Sequence, residues 1–177
     1  MSLHIRKGKY RLFLFNSFLL SLSSLNAVHG EEINNMNLLD ENKIIITRYF
    51  EEVWNKGKLD VLEELLSPEY INHNPGTANP KPGPDGLKPI VTAIRTGFPD
   101  LKYIIKRMVV REDQVAVLVT MTGTHKGDFF GIPATGKTIN VDQMQIERIV
   151  DGKIVEHWRV TDDLSMMSQL GKGNGDK

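Results

Sequence analysis

Six side chains able to move protons or hold a ligand crowd into the stretch from Gly123 to Trp158: His125, Asp142, Glu147, Glu156, His157 and Trp158. Carboxyl and imidazole groups exchange protons near neutral pH once burial or a like charge has shifted their pKa values. General acid/base catalysis is therefore the first chemistry to consider. Other chemistries lack their residues. With no cysteine in the chain, thiol catalysis and Cys-based zinc sites are excluded. His73, His125 and His157 show no i, i+4 pairing for a metal. The segment Gly131-Ile132-Pro133-Ala134-Thr135-Gly136-Lys137 lacks P-loop spacing, and no Gly-x-Ser-x-Gly elbow occurs. No cofactor and no metal are expected.

These residues need a scaffold, and the periodicity supplies one. Asp40 can cap a helix to about Asn55, with Ile45, Ile46, Tyr49, Phe50, Val53 and Trp54 at helical spacing. A shorter helix follows over Asp60 to Leu66, stopped by Ser67-Pro68. Tyr70 to Pro75 has β-type residues and leads into a 12-residue loop, Pro75 to Gly86, dense in Pro and Gly. Such a loop is either a functional lid or a plain surface connection. A third helix spans about Gly86 to Thr96.

After Asp100 the period drops from 3.6 to 2. Strands are predicted over Lys102 to Arg111, Val115 to His125, Lys137 to Val150 and Lys153 to Thr161, then a short helix over Asp163 to Leu170. Asp151-Gly152 between two alternating runs signals a tight hairpin. Helices in front and an antiparallel meander behind make the class α+β.

The chain has 177 residues, 40% of them hydrophobic, enough for one globular domain with an appendage. Arg6, Lys7, Lys9 and Arg11 precede an apolar run from Leu12, and small residues at Val28-His29-Gly30 suit a signal peptidase. The uncharged run of 17 residues is short of the roughly 20 a membrane span needs. The organisation predicted is thus a signal peptide over 1–30, a flexible leader over 31–39, the domain over 40–171 and a tail over 172–177. Export to the periplasm or medium follows, with no stable membrane insertion after cleavage. The mature chain carries 18 basic and 22 acidic residues, a net charge of −4, which disfavours nucleic acid as a partner.

Strand alternation puts His125 on the core face, either as an acid/base group or as a core histidine held by the backbone. With a two-residue turn at Asp151-Gly152, Glu147 opposes Glu156, Gln145 opposes Trp158 and Gln143 opposes Val160, all on the inward face. Glu156 would then be a buried carboxyl facing a like charge, and its pKa would rise. Asp142 and His157 fall on the other face, and a one-residue bulge would exchange the faces.

The motifs Arg48-Tyr49-Phe50-Glu51-Glu52-Val53-Trp54-Asn55, Tyr70 to His73, Phe98-Pro99-Asp100, Gly123-Thr124-His125 and Asp151 to Trp158 with Asp162 together resemble the SnoaL-like polyketide cyclases of the NTF2-like superfamily. The resemblance covers about residues 40–171. It implies a cone in which a curved antiparallel sheet wraps the N-terminal helices around one deep pocket, often in a homodimer. It also implies cofactor-free intramolecular aldol ring closure, with an aspartate as acid/base and a histidine and polar groups about the substrate. His125 matches the family histidine, and Asp142 is the only aspartate on the expected strand. If Gln143 and Gln145 take the inward positions instead, that acid is missing. Export also sits poorly with substrates made inside the cell.

Two functional classes remain open on the sequence. One is an exported, ester cyclase-like enzyme of cyclase, isomerase or hydratase type acting on a small apolar carbonyl compound. Asp142 or Glu156 would be its acid/base, with His125 polarising and Tyr49, His73, Gln143, Gln145, Trp158 and Asp162 holding substrate. The other is a non-catalytic pocket for a small hydrophobic molecule, or a sheet surface for dimerisation. A weaker third reading is a hydrolase activating water through Asp or Glu.

Overall fold

The computed structural model describes residues 32–172 with the exception of residue 79, so the expected signal segment lies outside the described residues. Residues 32–38 are helical. From residue 39 the domain itself begins: residues 39–48 are α-helical, and the winding widens to π turns over Tyr49–Asn55, together α1. Asp40 lies inside helical residues and pairs with Lys43 at 2.8 Å, so it is not the cap the sequence suggested. The π turns, which are frequent at functional sites, aim Tyr49, Phe50, Val53 and Trp54 into the core.

Helix α2 is Val61–Leu65 and strand β1 is Leu66–Asn72. Ser67-Pro68 was expected to end the helix before a strand at Tyr70, yet both residues lie within β1. Pro68 is tolerated because β1 is an edge strand, where a missing N–H breaks no ladder on the open side. Helix α3, Pro84–Gly97, opens with Gly83 at φ 70° and Pro at its first position. Strands β2 (Lys102–Arg111), β3 (Gln114–Thr124), β4 (Thr138–Val150) and β5 (Lys153–Thr161) follow, then α4, Asp163–Gln169.

The five strands form one curved sheet in the order β1-β5-β4-β3-β2, antiparallel except that β1 runs parallel to β5. Its inner face is set by alternation: Val115, Val117, Val119 and Met121 on β3 and Ile139, Val141 and Ile149 on β4 are buried. Against them pack Phe50 and Trp54 of α1, Leu62 of α2 and Leu87, Val91 and Ile94 of α3. The expected α+β cone is thus the observed architecture, with an open sheet wrapped on helices.

One irregularity decides which groups face that interior. Asp151 (φ 50°) and Gly152 (φ 73°) form the tight turn, and Val150 opposes Lys153 as the sequence predicts. Ile149 then opposes Ile154, but Arg148 opposes Glu156. Val155 is the extra residue, a β-bulge that turns every later side chain of β5 to the opposite face.

Candidate functional site

Beyond the bulge, β4 and β5 present three inward rungs: Glu147 with His157, Gln145 with Arg159, and Gln143 with Thr161. On β4 the inward set is the one alternation predicts. On β5 it is the reverse. His157 and Arg159 face in, whereas Glu156 and Trp158 lie on the outer face.

At the deepest rung His157 Nδ1 lies 2.7 Å from Glu147 Oε1, and both residues are buried. Burial pushes the Glu147 carboxyl above the usual carboxylate range, an effect that His157 partly offsets. At the next rung Gln145 donates from Nε2 to Gln143 Oε1 at 3.0 Å. Gln143 in turn approaches Met121 Sδ at 3.5 Å.

Two cavities open onto this ladder. The inner one, about 20 Å³, is lined by Tyr49, Trp54, Tyr103, Gln145, His157 and Arg159. The outer one, about 400 Å³, is walled mainly by apolar groups, among them Ile90, Ile94, Phe129 and Met166, with Gln143, Arg159 and Thr161 on its polar side. Arg159 lines both. Pro75 and Gly76, from the Pro/Gly-dense loop, also line the outer cavity.

Around the inner end, Trp54 Nε1, Tyr70 Oη, Gln145 Oε1 and Glu147 Oε2 are buried without a hydrogen-bond partner among the described residues. The same burial raises the phenols of Tyr49 and Tyr70 well above their usual range and that of Tyr103 to about 12, so all three are neutral donors.

The sequence-predicted residues divide cleanly. Tyr49, Gln143 and Gln145 line the cavities. Asp142 does not: it is exposed on the outer face, where its carboxylate accepts from the Thr120 hydroxyl at 2.6 Å. Glu156 is also outside, held by Arg148 at 2.7 Å and His73 at 2.9 Å. The His73 contact, then Arg148, lowers its pKa, the opposite of the rise expected for a buried acid beside a like charge. His73 stacks on Trp158 with ring centroids 4.5 Å apart on that outer face, and neither lines these two cavities.

His125 is fully buried, its ring against Phe98 and its Nδ1 accepting from the Thr135 amide at 3.3 Å. It fastens the loop after β3 through Nδ1, and its Nε2 is buried without a hydrogen-bond partner among the described residues. Asp162 caps α4, accepting from the Ser165 N–H at 3.0 Å. Conversely, reading by strict alternation missed His157 and Arg159 as inward groups. An arginine among the apolar residues Val155, Trp158 and Val160 was the one sign that this strand's faces were not as they looked.

A profile of the SnoaL-like polyketide cyclases matches residues 44–170. This chain belongs to the SnoaL-like polyketide cyclase family. Among its relatives, an aklanonic acid methyl ester cyclase of Streptomyces peucetius is 32% identical over 135 residues, covering 73% of this chain and 91% of the relative. A nogalonic acid methyl ester cyclase of Streptomyces nogalater is 29% identical over 119 residues, covering 67% and 89%. Of solved structures, TsrD from Streptomyces laurentii superposes with a TM-score of 0.69 at 26% identity, over 75% of this chain and 96% of that one. For wild-type IdmH from Streptomyces antibioticus the values are 0.64, 32%, 73% and 97%. This SnoaL-like chain departs from the expected pattern in one respect: the strand expected to carry an acid/base aspartate turns Gln143, Gln145 and Glu147 inward.

Proposed function

We propose that this chain is a cofactor-independent cyclase of the acid/base type, in which His157, oriented by Glu147, moves the proton. The observation that carries the reading is the buried His157–Glu147 pair, of which His157 lines the small inner chamber that shares Arg159 with the larger, mainly apolar outer cavity. With Nδ1–H directed at the carboxylate, Nε2 of His157 is the basic nitrogen. It takes a proton from carbon beside a substrate carbonyl, giving an enolate, and the buried carboxylate balances the imidazolium. The enolate carbon then bonds to a second carbonyl carbon of the same molecule. The alkoxide so formed takes the proton back, so the product has the mass of the substrate. Gln145 spends one amide N–H on Gln143 and keeps the other for a substrate oxygen.

The substrate we infer is a small, largely apolar carbonyl compound, in keeping with a 400 Å³ apolar cavity and with relatives named for methyl ester polyketides. The basic and apolar segments of residues 1–30 support export as part of this reading. The rival, a binding protein without turnover, gains from the lack of an inward aspartate on β4. Incubation with aklanonic acid methyl ester in heavy water separates the two. The cyclase reading expects an isobaric product of altered retention, or deuterium exchange beside the carbonyl, lost in His157→Gln. Neither outcome above the uncatalysed rate, across methyl ester and free acid polyketides, leaves the binding reading in place.

A further inference from the structure

Arg159 occupies the middle rung, where it lines both the inner and the outer cavity. Its main-chain N–H is taken by Asn74 Oδ1 at 2.9 Å, but its guanidinium enters no ion pair and no hydrogen bond among the described residues. The other arginines whose side chains reach inward or pack on the sheet are engaged. Arg95 donates to the carbonyls of Trp54 and Asn55, and Arg148 is clamped to Glu156. Arg159, by contrast, carries its charge toward the two cavities with no side-chain partner among the described residues.

A half-buried cation is stable only when something offsets its lost hydration. Among the described residues no carboxylate pairs with it. Asp163, the carboxylate lining the outer cavity, is exposed at its rim and makes no ion pair with the arginine. Gln145 across the ladder and the phenols of Tyr49 and Tyr103 in the inner chamber are neutral, and Glu147 on the adjacent rung is turned to His157. A guanidinium presents a planar fork of donors that fits a carboxylate bidentately, and the amides alongside can complete the contact.

We propose that Arg159 anchors a carboxylate of the substrate, so that the cavity takes the free acid of a carbonyl compound in preference to its methyl ester. The inference rests on the reading that the cavity holds a carbonyl compound, and it sets this chain apart from the relatives named for methyl esters.

The test is calorimetric titration of the full chain at neutral pH with 2-naphthoate and with methyl 2-naphthoate, comparing wild type, Arg159→Gln and Arg159→Lys. Wild type is expected to prefer the acid by about tenfold or more, as one charge-assisted bidentate contact supplies. Arg159→Gln should bind the ester as wild type does and lose the preference, and Arg159→Lys should keep part of it. Should Arg159→Gln fail to fold, the lysine variant carries the test through its reduced preference. Equal binding of acid and ester by wild type, a preference that survives in Arg159→Gln, or no binding of either probe at millimolar concentration would overturn the proposal. His157→Gln should keep the acid preference. Preference without turnover therefore defeats the cyclase reading alone, and turnover without preference defeats this one alone.

Discussion

His157 and Glu147 face each other across the two central strands of the site, Nδ1 to Oε1 at 2.7 Å, with solvent excluded from both. A charge on either is costly there unless the other answers it. His157 also lines the inner chamber, so the pair brings groups able to exchange protons to it.

Turnover should depend on the pair. His157→Gln is expected to lower kcat by about 10²–10⁴-fold, the range for removing a positioned acid/base group, with substrate binding changed little. Glu147→Gln should move kcat in the same direction, because an amide cannot balance an imidazolium. Steady-state kinetics on the cyclised compound checks both, and an unimpaired His157→Gln would remove the pair from the mechanism.

Glu147 also gives stability a pH signature. Its folded pKa lies above that of the unfolded chain, so the folded state holds this proton more tightly. The stability it contributes is therefore complete below the ordinary glutamate range and declines as pH rises from there to the raised value. Glu147→Gln should lack that decline, a difference visible in melting temperatures measured from acid to neutral pH.

Glu156 should behave in the opposite way. His73 and Arg148 depress its pKa, so its contribution is present above the unfolded value and fades as pH falls through the lowered one. Glu156→Gln should melt earlier than wild type near neutrality and approach it in acid, while turnover stays within about twofold, as for a substitution outside the site. Asp142→Asn should likewise leave turnover intact. A hundredfold loss in either variant would show that the outer face takes part in the chemistry.

His125 should matter to the fold rather than to the reaction. Truncating this fully buried ring to alanine leaves a cavity between Phe98 and Phe129, at a cost of about 3 kcal/mol. Chemical denaturation should report that loss, with kcat of the folded fraction unchanged.

The frame of this protein was written plainly in its sequence. Alternating Val115, Val117, Val119 and Met121 and the Asp151-Gly152 turn placed β3, β4 and β5, and the combined motifs pointed to the family. The site was legible on β4 and not on β5. Gln143, Gln145 and Glu147 lie on one side of a regular strand, where period 2 suffices. On β5 the apolar residues beyond the bulge, Trp158 and Val160, lie on the outer face, with Val160 74% exposed, so hydrophobicity pointed to the wrong face. Pro68 misled for a related reason, since its tolerance depends on an edge position that only the sheet order defines.

Val155 carries a consequence for how such a cavity diversifies. A bulge alters the count of residues and leaves their kinds alone, so the gain or loss of a single codon can exchange the whole set of reagents on one strand. Removing Val155 would bring Glu156, Trp158 and Val160 inward in place of His157, Arg159 and Thr161, without one change of residue type. Chains in this family could thus differ sharply in chemistry while remaining close in composition, and counting residues between the turn and the site would separate them better than percentage identity.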